Sequence, residues 1–216
     1  MYAKTILTIF IILSSVRGTY AAVGCTLNDP DRDIKRLFPE ATNYKTEFIS
    51  IKEHGDKELA EEIEAKLKDK LDPVYESLDV PYAYYTVLQK KEILGYVHGV
   101  NQKGTYGGLQ LILATDPNGV VKDFYYQKIN SPEAKKFRDK EFTGQFIKLS
   151  LADFYNKDLT KKIKDPSQNN AADYLATLRG IKKNLVLQDE FKLENRYDKY
   201  FYVNKRESEN KNEDNK

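Results

Sequence analysis

The chain has 216 residues, 40% hydrophobic and 31% charged, which is long enough for a domain with a sizeable core. Its formal charge is +2, and without Lys4 and Arg17 the 35 basic residues fall to 33, level with the 33 acids. A balanced chain with no basic stripe argues against a nucleic-acid partner, and past the N-terminus no stretch is apolar enough to span a bilayer.

Lys4 precedes an apolar run, Thr5 to Val16, and the small residues Ala21, Ala22 and Gly24 follow. This order of charged, apolar and small-residue regions predicts a secretory signal over residues 1–24 and a periplasmic or exported mature chain. The alternative is an uncleaved anchor, for which the apolar run is short. Cys25 is the only cysteine, so no internal disulfide can form. Directly after a signal it is a candidate lipidation site, which would tether the protein to a membrane by a lipid anchor. The other reading is a free thiol in a plain periplasmic protein.

Residues 25–36 read as a linker and a short helix, with Asp29 as N-cap and Pro30 at the first helical position. That helix should stop before Pro39. Tyr44–Ile51 has strand composition. From Asp56, Leu59, Ile63, Leu67 and Leu71 recur every fourth residue, predicting a charged helix with one apolar stripe that runs to Pro73. Four strand-like runs follow, at 83–89, 93–100, 109–115 and 120–129. The first two are close enough for a hairpin across Lys90, Lys91 and Glu92. The last two flank Asp116-Pro117-Asn118-Gly119, a type I turn with glycine at a left-handed position. The expectation is an antiparallel meander with Leu109, Leu111 and Leu113 on one face.

Ser131-Pro132-Glu133 reads as a helix start, with 134–142 helical. Phe142 and Phe146 are candidate core plugs, and Ser150 to Asp153 has capping-box spacing. A polar loop spans 157–170. A long helix from Ala171 to about Glu190 follows, with Leu175, Leu178, Ile181 and Leu185 on its apolar face. The tail, 204–216, has no apolar residue and is expected to be disordered. The fold class is therefore α+β: an antiparallel meander packed with helices, one domain over 37–203 after the signal.

Little of the chain carries recognisable chemistry. His54 and His98 are the only histidines and have no metal-ligand spacing, and His98 reads as an imidazole on a sheet face. No nucleophile motif and no phosphate-loop motif occurs. Two weaker anion sites remain. One is the backbone at Gly104, Gly107 and Gly108, where missing side chains let a ligand approach. The other is the start of the last long helix near Asn169, Asn170 and Thr177, where free amides attract phosphate.

The order of these pieces resembles the FMN-binding domain of periplasmic flavin subunits in bacterial ion-pumping redox complexes. Leu37-Phe38-Pro39-Glu40-Ala41 is similar to that family's opening. Gly95-Tyr96, then Tyr106 through Val121, are similar to its glycine, strand and hairpin run. Phe142-Thr143-Gly144-Gln145-Phe146 is similar to its F-x-x-Q-F, and Ala176-Thr177 to the end of its flavin-attachment motif. Tyr174-Leu175 stand where that motif has Ser/Thr-Gly, and of its ring-contacting loop only Pro132 remains in Asn130–Ala134. The resemblance implies an exported electron-transfer protein with noncovalent FMN and a redox partner in the membrane or periplasm. It places the flavin phosphate near Ala176, Thr177 and the start of that last long helix, and the ring against Gly104, Tyr106, Gly107, Gly108, Ser131 and Pro132, with Tyr106 or Tyr126 stacking. The competing reading keeps the scaffold without flavin, as a periplasmic or lipoprotein binding module.

Overall fold

The computed structural model describes residues 25–213, with side chains through Arg206; the signal segment lies outside the described residues. Five strands form one antiparallel sheet in chain order: β1 (Asn43–Ile49), β2 (Tyr82–Gln89), β3 (Glu92–Gly104), β4 (Gly107–Thr115) and β5 (Val121–Lys128). The helices are α1 (Pro30–Leu37), α2 (Ile51–His54), α3 (Asp56–Leu67), α4 (Ala134–Arg138), α5 (Lys140–Thr143), α6 (Leu151–Asn156), α7 (Ala171–Lys192) and α8 (Asp198–Glu213). The class is α+β, as the sequence predicts, and the meander is its centre.

Strand periodicity sorts the core into two layers, because successive side chains point to opposite faces. Tyr82, Tyr84, Val100, Leu109, Leu111, Leu113, Phe124 and Tyr126 belong to the larger cluster, which includes the inner residues of α3 and α7. The alternate residues Ala83, Tyr85, Val87, Val97, Ile112 and Ala114 belong to a smaller cluster with Cys25, Leu27, Ile34 and Phe38 from the N-terminal segment and α1. Each fully buried large side chain contributes roughly 1.5–3 kcal/mol, so both layers matter to stability. The Asp116 turn forms as predicted, with Gly119 N–H donating to Asp116 O at 3.1 Å and Gly119 at φ +80°. The capping box at Ser150 and Asp153 also forms, and Phe142 and Phe146 are buried.

Several elements differ from the sequence-based expectation. The β1 strand ends at Ile49, because Ser50 caps α2 through its hydroxyl. The charged helix stops at Leu67, not Pro73: Lys68 adopts φ +59° and its amide returns to Glu64 O and Ala65 O, a left-handed C-cap. The helix expected over 134–142 breaks at Asp139, whose extended backbone and carboxylate cap α5. Leu175 is 52% exposed although its spacing matches the apolar stripe. The tail expected to be disordered is helical as far as Glu213, as the continuation of α8.

The other stripe residues, Leu178, Ile181 and Leu185, are buried as predicted, but the inner face of α7 mixes them with polar side chains and turns Leu175 outward. Asp173, Thr177, Asn184 and Gln188 are buried with Ile181 and Leu185. Asn184 donates to His98 O at 2.9 Å, and its Oδ1 lies 3.1 Å from His98 Nδ1. Gln188 donates to Thr115 Oγ1 at 2.6 Å. At Gly180 an added Cβ would run into Leu111, so the helix backbone sits tight on β4.

His98 stacks on Tyr84 at 4.1 Å between ring centroids and is fully enclosed. Burial pushes its imidazole down to about 3. The folded protein therefore holds His98 neutral, while the unfolded chain takes up a proton near 6.5. Stability from this group is complete above that value and falls as pH drops toward the folded one, at about 1.4 kcal/mol per pH unit. Urea unfolding across this acid range should show the loss, and His98→Phe should be less stable near neutrality but flatter with pH. An unchanged acid slope in that variant would assign the acid sensitivity to other groups.

Candidate functional site

Three distant segments meet where the β3–β4 hairpin tip touches the start of α7. Gly104 pairs with Gly107, leaving Thr105-Tyr106 as a two-residue turn. Gly107 takes φ +107°, a conformation that a side chain would strain. Thr105 N–H donates to Asp173 Oδ1 at 2.6 Å, and Thr105 Oγ1 donates to Asn170 Oδ1 at 3.0 Å. Asn170 in turn donates through Nδ2 to Ser131 Oγ at 3.1 Å and to Asp173 Oδ2. Asn170 is the N-cap of α7, so one residue closes the helix and ties in two loops.

Glu133 braces the same place from outside. Its carboxylate accepts from Gln168 N–H at 3.0 Å, from Asn169 N–H at 3.2 Å and from Lys136 Nζ at 2.7 Å. The Lys136 bond, then these amides, hold its carboxyl down at about 2. Ser131 is buried and caps the backbone of Glu133, while Pro132 is exposed.

The expected flavin-site residues are thus only partly assembled. Gly104 and Ser131 do reach the α7 start. An added Cβ at Gly104 would lie 2.9 Å from Asp173 Oδ1. At Gly108 it would lie 2.9 Å from Tyr75 Cε1, so that ring fills the space beside the strand. Tyr106, at the turn, is 51% exposed. Tyr126 is buried, and its hydroxyl lies 2.7 Å from Thr177 Oγ1. Thr177 is in the second turn of α7, with no solvent exposure, and donates to Asp173 O at 2.7 Å. Ala176 is packed against the larger core cluster.

These residues do not fit a flavin phosphate. A phosphate needs the free amides of a helix start or a glycine turn. Here Asp173, completely buried, takes the hairpin amide, and Glu133 takes the amides that lead into α7. A second anion would meet a fixed carboxylate at close range. Asp173 escaped the sequence reading, although Asn170 and Asp173 stand at N-cap and third-residue spacing, a legible helix-start signal, and Glu133 entered it only as a helix-start acid.

A hollow of about 370 Å³ between α1, β5 and α5 is lined by Arg32, Arg36, Arg138 and Lys140 around Tyr125. Its cations already have partners. Arg36 and Lys140 approach Asp123 at 3.8 and 3.6 Å, Arg32 approaches Asp29 at 3.7 Å, and Arg138 donates to Tyr126 O.

Cys25 is 3% exposed, beneath the sheet, with Sγ 3.9 Å from Gln127 Nε2. Burial pushes its thiol up to about 12. A lipid on Sγ has no room there, so an anchored chain would have to draw Cys25 out of the smaller core cluster. No family model and no curated protein matches the chain.

Two outcomes follow from this geometry. Asp173→Ala removes the acceptor of the Thr105 amide and a partner of the buried Asn170 amide group, and should cost about 2 kcal/mol in urea unfolding, with faster hydrogen exchange at Thr105. Native protein should leave Cys25 unreacted with a thiol-specific disulfide reagent until it unfolds. Rapid labelling of folded protein would mean that the N-terminal segment leaves the sheet readily.

Proposed function

We propose that this chain is an exported, flavin-free binding module built on a scaffold like that of the FMN-binding domain. One observation carries the reading: the Asp173 carboxylate stands where the resemblance puts the flavin phosphate. It already bonds the Thr105 amide there. Other details agree with it. Thr177 has both of its hydrogen bonds inside the protein, and the Tyr75 ring lies against Gly108. The Phe142–Phe146 stretch acts as a structural brace, with both phenylalanines in the core and Gln145 bonded to the Lys164 backbone at 2.7 Å. The rings lie edge to face at 5.4 Å. The shared motifs that remain are those that hold the scaffold.

The competing reading is noncovalent FMN with electron transfer to a redox partner in the membrane or periplasm. A visible absorption spectrum of the exported, purified protein separates the two, followed by titration with FMN monitored by flavin fluorescence. The expected result is a colourless protein that does not quench added FMN. A flavin spectrum, whether it stays with the denatured protein or leaves in the filtrate, would overturn the proposal. Asp173→Ser adds a control: FMN uptake by that variant alone would identify the carboxylate as what excludes phosphate.

A further inference from the structure

A recess of about 260 Å³ opens among α3, α6, α7 and α8, and shares no residue with the hairpin–α7 junction. Ala65, Phe154, Tyr155 and Phe201 form its walls. Lys68, Lys182 and Lys205 and the Asn204 amide supply its polar lining, and among the described residues no carboxylate does. The three lysines come from different elements: Lys68 is the left-handed cap of α3, Lys182 lies on α7 and Lys205 on α8. Asn204 is fixed, donating to Tyr155 O at 3.1 Å and to Asn156 Oδ1 at 2.9 Å.

The chain treats its other enclosed lysines differently. Lys66 is surrounded by Glu62 at 2.9 Å, Glu190 at 3.2 Å and Asp198 at 2.7 Å. Lys183 is held by Glu76 at 2.5 Å. Among the described residues, half-buried Lys182 has only the Leu67 carbonyl at 3.1 Å and the Tyr155 ring face at 5.5 Å. Among the described residues no carboxylate lies within 4.0 Å of Lys182 or Lys68. The acids that act on Tyr155 are engaged elsewhere: Asp189 accepts from the Tyr197 amide at 3.1 Å, and Asp198, Glu190 and Glu62 are bound to Lys66. Burial, then Lys68 and Arg179, push the Lys182 ammonium down to about 8. A desolvated cation beside like charge is unfavourable, and an incoming anion relieves both effects.

We propose that this recess binds an amphipathic carboxylate, a medium-chain aliphatic acid. Its carboxylate sits on Lys182 and Lys68, and its chain lies against Phe154, Tyr155 and Phe201. The recess is small by the standard of ligand pockets, so a short single chain suits it better than a two-chain lipid. The proposal goes beyond the flavin-free reading and stands whether or not FMN binds elsewhere.

The test is calorimetric titration of the full mature chain with decanoate, and with decanol as the uncharged control. Decanoate should bind saturably at one site and decanol far more weakly. Lys182→Met keeps the length of the side chain and removes the charge, and should weaken decanoate roughly tenfold while leaving decanol unchanged. Phe201→Ala should weaken both. Mass-spectrometric mapping of amine acetylation gives a second readout: decanoate should protect Lys182 and leave the exposed Lys57 unprotected. Three results would overturn the proposal: no saturable heat with decanoate, equal binding of decanoate and decanol, or undiminished decanoate binding by folded Lys182→Met. Because none of these readouts involves flavin, failure here is distinct from finding a yellow protein.

Discussion

The structure depends on how α7 is seated across the sheet through buried polar side chains. Asp173 takes the hairpin amide, Thr177 meets Tyr126, Asn184 holds both His98 Nδ1 and the His98 carbonyl, and Gln188 reaches Thr115. Each group would cost about 1–3 kcal/mol if buried without its partner. Together they allow one position of the helix along the strands, because a slide by a turn would strand every one of them. An apolar helix face would bury as much surface with less demand on register.

That seating explains what surrounds it. The segment between α3 and β2 straps across α7 through Glu76, which accepts from Lys183 at 2.5 Å and from Arg179 at 2.7 Å. Arg179 also donates to Gln102 at 2.7 Å and to the Lys70 carbonyl at 2.8 Å. A fully buried ammonium is tolerable only with such a partner, and burial still pushes Lys183 down to about 8. The strap carries the Tyr75 ring onto Gly108. The same ties that fix α7 thus fill the space beside the glycine hairpin and complete the hairpin junction from within.

The charges on the two sides of α7 are balanced differently. The enclosed ammonium groups of Lys66 and Lys183 have carboxylate partners. Among the described residues, Lys182 has the Tyr155 ring and a carbonyl instead. Charge within this interior is matched locally, so a place where it is unmatched is where a ligand gains most.

How much of this was legible in the sequence follows from how local each cause is. The meander was legible because alternation and turn chemistry act over a few residues: Leu109, Leu111 and Leu113 face one way, and Asp116 to Gly119 turns as its side chains require. Caps at Asp29 and Ser150 were legible for the same reason. The end of α3 at Lys68 was not, since a left-handed lysine has no compositional mark and Pro73 offered a more visible stop. Leu175 misled because a stripe of leucines outweighs asparagine and glutamine in any periodicity argument, yet those polar residues face the sheet. Gly104, Ser131 and Asn170 could each be suspected from sequence. That they meet around Asp173 was decided by three segments converging in space. The sequence by itself determined the strands, turns and caps, whose energies are local. Only the tertiary structure decided which polar groups are enclosed and paired, because that depends on partners distant in sequence, 39 residues away for Ser131 and Asn170 and 107 for Glu76 and Lys183.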